Sequence, residues 1–307
     1  MAHTPSRMPA IAWGCLAALT WGLTGTFIKL LPSFSTVEIL AIRTLLSLAV
    51  TLVIFLFRPA LLSESLALLR RPVGILLSSL MLFYYLFAVR AFQFAPVSDV
   101  ALVVGLSPII GLAVKVMTRQ GLVVAEIAGA GTAFAGLILF VSPKIQGMAE
   151  GDRATYLTGL SFALLAACVS LGYAALFKQY SAHRALLSPI AVSCTTFVIG
   201  SAIITPIIAP SSPTFITQVM QPDSLKIALG LGIVCTVVPT FCYSYAAKHL
   251  PPILTTTLNL LVPIFAAVLA FFLIQETMPA VSILGGALII VGIVVLSSAK
   301  PIAQSKS

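Results

Sequence analysis

A carboxylate, Asp99, an amide, Asn259, and five polar aromatics stand inside long apolar stretches. Asp99 falls near the start of "APVSDVALVVGLSP" (95–108), and Asn259 closes "LTTTLN" (254–259). Spacings of three and four put Thr255, Thr256 and Asn259 on one helical face. Trp21, Tyr84, Tyr85, Tyr173 and Tyr243 lie in the interiors of apolar runs, where an indole or phenol needs a polar partner or water. The chemistry these residues offer is binding. A shielded carboxylate suits an amine or a proton, an amide suits a carboxylate or a second amide, and the rings supply apolar walls with polar handles.

Each residue also has a structural reading that stays open. Asp99 sits where a carboxylate complements the positive end of a helix dipole, with Arg90 across a short turn. Asn259 serves equally as interhelical glue worth about 1 kcal/mol, and the five aromatics serve equally as packing. Arg43, the one cation well inside a run, is expected to be a structural pair or a cap on carbonyls, although a carboxylate would find it attractive. Pro108 and Pro263 are expected to bend helices near mid-span. Gly22, Gly25, Gly129, Gly131, Gly285 and Gly286 read as close-packing positions.

Other chemistries lack their parts. His3, His183 and His249 are peripheral, and Cys15, Cys168, Cys194, Cys235 and Cys242 show no metal-ligand spacing, so neither a metal nor a cofactor is expected. No nucleophile and base converge, which argues against an intramembrane enzyme. A channel would need a selectivity-filter motif or a ring of pore charges, and ATP drive would need a phosphate-binding loop.

These residues are positioned by a chain made for lipid. Of 307 residues 60% are hydrophobic and 8% charged, with a mean hydropathy of +1.13; soluble domains are about one quarter charged. Runs of about twenty apolar residues cross a bilayer, and they occur at 10–31, 36–57, 73–94, 96–117, 121–142, 156–177, 186–209, 225–247, 251–274 and 278–298. The expected fold is therefore all-α integral membrane with ten transmembrane helices. Segments 58–72 and 209–224 read as the longer connections, Tyr156 and Tyr180 as interfacial anchors, and "SPKIQGMAEGDRAT" (142–155) as a linker between halves. The net charge of +9 is dispersed, which points to lipid headgroups and topology and away from nucleic acid. With the N-terminus inside, eleven basic residues fall on cytoplasmic ends and five on opposite ends, which predicts both termini in the cytoplasm.

The halves repeat. An offset of 155 pairs Pro96 with Pro251, Pro108 with Pro263 and Gln120 with Gln275; one further residue pairs Gly129 with Gly285 and Gly136 with Gly292. At an offset of 150, Gly22 falls on Gly172. Five helices per half make the second half enter the membrane from the opposite side. Two inverted repeats, 1–149 and 150–307, are thus expected around a central cavity.

Trp21–Gly22 in the first helix, Arg43 in the second, the "AP…SP" and "LPP…VP" hairpins and the closing "QE…GG…G" resemble the drug/metabolite transporter superfamily, EamA type. The layout is similar to that of its amino-acid exporters. The resemblance implies a secondary transporter of the cytoplasmic membrane that exports small polar metabolites, amino acids foremost, by alternating access; drugs and nucleobases are alternative cargoes. A proton is a candidate coupling ion, and a single chain is expected to suffice. The sequence departs from symmetry at Gly121, where Glu276 has no repeat counterpart.

Overall fold

The computed structural model describes residues 7–117, 123–183, 188–211, 213–249 and 258–298. They are helical, with no strand among the described residues. The elements are α1 (Arg7–Lys29), α2 (Thr36–Phe57), α3 (Pro59–Leu69), α4 (Pro72–Phe94), α5 (Val97–Val104), α6 (Ser107–Met117), α7 (Val124–Gly147) and α8 (Glu150–His183). The second half continues with α9 (Pro189–Ser211), α10 (Phe215–Val219), α11 (Pro222–Leu229), a π-helical turn pair (Gly230–Val237), α12 (Val238–His249), α13 (Leu261–Ile274) and α14 (Ala280–Ser298).

Among the described residues 8 helical stretches are long and apolar enough to cross a membrane. The ninth and tenth expected spans are represented by the shorter apolar helices Leu261–Ile274 and Ala280–Leu296; the start of the ninth, with Pro251, Thr255 and Thr256, lies outside the described residues, as do Gln120 and Gly121. Local chemistry sets the ends. Ser35 and Glu38 form a capping box at the start of α2, with the Ser35 N–H donating to Glu38 Oε2 at 2.7 Å. Proline begins α3, α4 and α11, where its missing N–H costs nothing.

Three expected connections are helical. Segment 58–72 contains α3, and 209–224 contains α10 and the start of α11. The supposed linker 142–155 is largely helix, because α7 runs to Gly147 and α8 begins at Glu150. Its polar composition marks the membrane boundary rather than a loss of helix. The fourth span is divided into α5 and α6. Pro108 is the second residue of α6, and Ser107 Oγ donates to the carbonyl of Val104 at 2.8 Å across the break. Pro263 lies buried in the first turn of α13.

The internal repeat reappears in packing. A Cβ on Gly129 would lie 2.6 Å from the Gly292 carbonyl oxygen, and one on Gly136 would lie 2.7 Å from that of Gly285. Exchanging each glycine for its repeat partner turns the first contact into the second, the isologous pattern of a two-fold relation. α7 and α14 consequently touch backbone to backbone, as small residues permit in lipid. The first helices of the two halves differ. A Cβ on Gly22 would lie 3.0 Å from the Ala266 nitrogen, whereas one on Gly172 would have nothing within 4 Å.

Candidate substrate cavity and polar network

α2 brings Arg43 into the interior, and α4 brings Tyr84 and Tyr85 against it. The guanidinium carbon lies 4.1 Å from the Tyr85 ring centroid, a cation–π contact. Tyr85 and Arg43 are buried, at 4% and 3% exposure. Tyr85 is nine residues from the end of α4, on the order of 13 Å deep at 1.5 Å per residue. Tyr84 packs at 5.8 Å from Tyr85 by ring centroids.

The second half supplies the facing wall. Trp21 on α1 meets Tyr243 on α12 with centroids 5.3 Å apart, and Asn259 lies near the Tyr243 hydroxyl. Tyr173 on α8 lies in the neighbourhood of both Tyr85 and Tyr243 and stacks on Phe177 with centroids 5.9 Å apart. Trp21, Tyr84, Tyr173 and Tyr243 are partly buried. Of the seven sequence-predicted binding residues, Trp21 contacts Tyr243 and Tyr84 contacts Tyr85, Tyr173 and Asn259 lie nearby, and Arg43 sits on the Tyr85 ring.

The π-helical stretch Gly230–Val237 borders this cluster. Ser47 Oγ, one turn beyond Arg43 on α2, donates to the Gly232 carbonyl at 2.9 Å, and Thr236 Oγ1 donates to Leu231 at 2.8 Å. Gly230 sits against the Phe27 ring, where an added Cβ would lie 2.0 Å from a ring carbon. Side-chain hydroxyls thus donate to two carbonyls of the π-helical stretch, a local irregularity frequent at functional sites.

Asp99 is elsewhere. It is the third residue of α5, 0% exposed, at the membrane face where α1 ends. The Lys144 ammonium donates to its Oδ1, the Tyr156 hydroxyl donates to its Oδ2 at 2.8 Å, and Ser98 Oγ lies 2.9 Å from Oδ1. The expected neighbour Arg90 is turned to Thr36 Oγ1, at 3.1 Å, and to the Phe94 ring. A flexible lysine from α7 reaches where the outward-facing arginine does not.

The network crosses into the second half. The left-handed residue Gln275, with φ 55°, ends α13 and turns Glu276 back onto α5. Glu276 accepts the backbone N–H groups of Val97 at 2.8 Å and Ser98 at 3.0 Å, so it caps a helix N-terminus with a full charge. Ser98 Oγ also lies 2.7 Å from Glu276 Oε1. A hydroxyl has one proton, so Ser98 serves one of the two carboxylates at a time.

Sequence reasoning missed Lys144, Tyr156 and Glu276. Lys144 read as a linker cation and Tyr156 as an interfacial anchor, yet Tyr156 is 2% exposed and bonded to Asp99. A separate groove of about 630 Å³ runs along α13 and α14 between Leu102, Phe140, Phe271 and Ile290, with Glu276 at its rim. Of the residues predicted to bind substrate or bend helices only Pro263 borders it. No cluster that could hold a metal ion is present among the described residues.

The pattern of the EamA-like transporter family matches this chain twice, over residues 8–142 and 157–298. A protein of Archaeoglobus fulgidus described as an uncharacterized transporter is 26% identical over 208 residues, 67% of this chain and 69% of its own length. The uncharacterized transporter YwfM of Bacillus subtilis is 29% identical over 135 residues, 43% of this chain and 45% of that protein. A crystal structure at 20% identity superposes with a TM-score of 0.63 over 95% of this chain and 98% of that one, which establishes likeness of fold. The two matched segments span both halves of the helical bundle, and the chain belongs to the EamA-like transporter family of multi-pass membrane transporters.

Proposed function

We propose that the protein is a secondary carrier that exports small polar metabolites, amino acids foremost, from the cytoplasm by alternating access. The observation that carries this reading is the contact of Trp21 from the first half with Tyr243 from the second, with Tyr84 and Tyr85 paired and Tyr173 and Asn259 nearby. A site shared between repeats changes its exposure when one repeat rocks against the other. The repeats are 1–149 and 150–307, α7 and α14 form their closest mutual contact, and one chain is sufficient.

Basic residues gathered on one set of helix ends support placement in the cytoplasmic membrane with both termini inside. On that placement the Asp99–Lys144–Tyr156 and Glu276–Ser98 contacts close the outer face, and export requires them to separate. Asp99 is the residue through which a proton would couple to that opening. Uptake of radiolabelled amino acids, nucleobases and drug-like cations into proteoliposomes tests the assignment; saturable uptake of an amino acid is expected, and uptake confined to the other two classes would replace it.

A further inference from the structure

Arg43 has a full charge and no described partner to neutralise it. Its side chain is 3% exposed, and its Nε makes no hydrogen bond. Among the described residues the ion pairs are Lys115–Glu126, Lys144–Asp99 and Lys226–Asp223, and Arg43 belongs to none. The Tyr85 ring covers one face of the guanidinium. A guanidinium does not deprotonate in a protein, so burial cannot be relieved by losing the charge as it can for lysine.

We infer that Arg43 is the docking point for the carboxylate of the transported substrate. The inference rests on the carrier reading and narrows its substrate class to small organic carboxylates with an apolar or flat body. A carboxylate presents two oxygens that match the guanidinium fork, and a buried guanidinium outside every ion pair, set beside tilted aromatic rings, is complementary to that shape. Trp21, Tyr84, Tyr173 and Tyr243 supply surfaces for the rest of the molecule.

The site lacks the complement for a cation. All 8 acidic residues lie among the described residues, and none belongs to the aromatic cluster. Asp99, the carboxylate that sequence reasoning would give to an amine, is already held by Lys144 and Tyr156. An ammonium group on the substrate is left with ring faces. The carboxylate is therefore required and the amine is dispensable.

Trp21 provides a reporter. The chain has 2 tryptophans, and Trp13 is 44% exposed at the bundle surface, so Trp13→Phe leaves Trp21 as the single indole, packed on Tyr243. Titration of this purified full-length variant with 4-methylpentanoate, L-leucine and L-leucinamide, read by Trp21 emission, is the test. Saturable binding of both carboxylates is expected, with leucinamide at least about thirtyfold weaker, the loss typical of an unpaired buried charge. Arg43→Gln should remove that preference and Arg43→Lys should restore part of it. Equal binding of leucine and leucinamide by the folded protein overturns the inference, and so does a carboxylate preference that survives in Arg43→Gln or an absence of carboxylate binding. Counterflow of the same compounds separates the two levels: carboxylate binding without counterflow defeats the carrier reading and leaves the Arg43 site intact, whereas counterflow indifferent to the carboxylate does the reverse.

Discussion

Lys144, near the end of α7, places its ammonium on the buried carboxylate of Asp99, 45 residues earlier in the chain. Both charges are shielded, at 9% and 0% side-chain exposure. Removing one partner of such a pair strands the other, at a cost of about 3–5 kcal/mol, while replacing both with apolar residues is often neutral. Asp99→Leu is expected to lower the melting temperature of the detergent-solubilised protein sharply, and Asp99→Leu combined with Lys144→Met to recover most of the loss. Equal loss in single and double variants would contradict pairing.

The same carboxylate decides the question of proton coupling. Asp99→Asn retains size and hydrogen-bonding capacity but cannot titrate. If Asp99 couples transport to protons, flux in this variant becomes independent of pH across the range where wild type responds. A pH profile unchanged in Asp99→Asn removes Asp99 from that role.

Glu276 holds the first two N–H groups of α5 from the opposite half. Glu276→Gln replaces a charged acceptor at a helix N-terminus with a neutral one, worth about 1 kcal/mol or more at a partly buried site. Hydrogen–deuterium exchange at Val97 and Ser98 should accelerate at least fivefold. Unchanged protection would show that α5 is held by packing alone.

Repeat-related glycines should respond differently to one added methyl group. Gly22→Ala forces a Cβ to 3.0 Å from the Ala266 backbone nitrogen, and Gly129→Ala forces one to 2.6 Å from the Gly292 carbonyl oxygen, so each should cost about 1–3 kcal/mol. Gly172→Ala meets open space and is expected to be neutral within about 0.5 kcal/mol. Thermal unfolding of the three variants checks the order.

Much of the architecture was legible because lipid imposes it. Hydrophobic length gave the long spans, and matched prolines and glycines gave the repeat that packs at Gly129–Gly292 and Gly136–Gly285. Tyr84, Tyr85, Tyr173 and Tyr243 were singled out by a single rule, that a phenol inside a span needs a partner. Lys144 and Tyr156 escaped because polarity near a membrane face reads as linker or anchor, and nothing in their spacing reveals that α7 and α8 carry them to Asp99. Arg43 was visible as the one cation well inside a run and was expected to be a structural pair or a cap on carbonyls; the structure sets it over the Tyr85 ring.

The central claim is that two repeats expose one shared site alternately, and counterflow tests it most directly. Proteoliposomes containing the purified protein and preloaded with unlabelled L-leucine should transiently accumulate external radiolabelled leucine above equilibrium, with a rate that saturates. Flux that rises linearly with concentration and shows no overshoot, with the protein folded and leucine bound, would contradict the account.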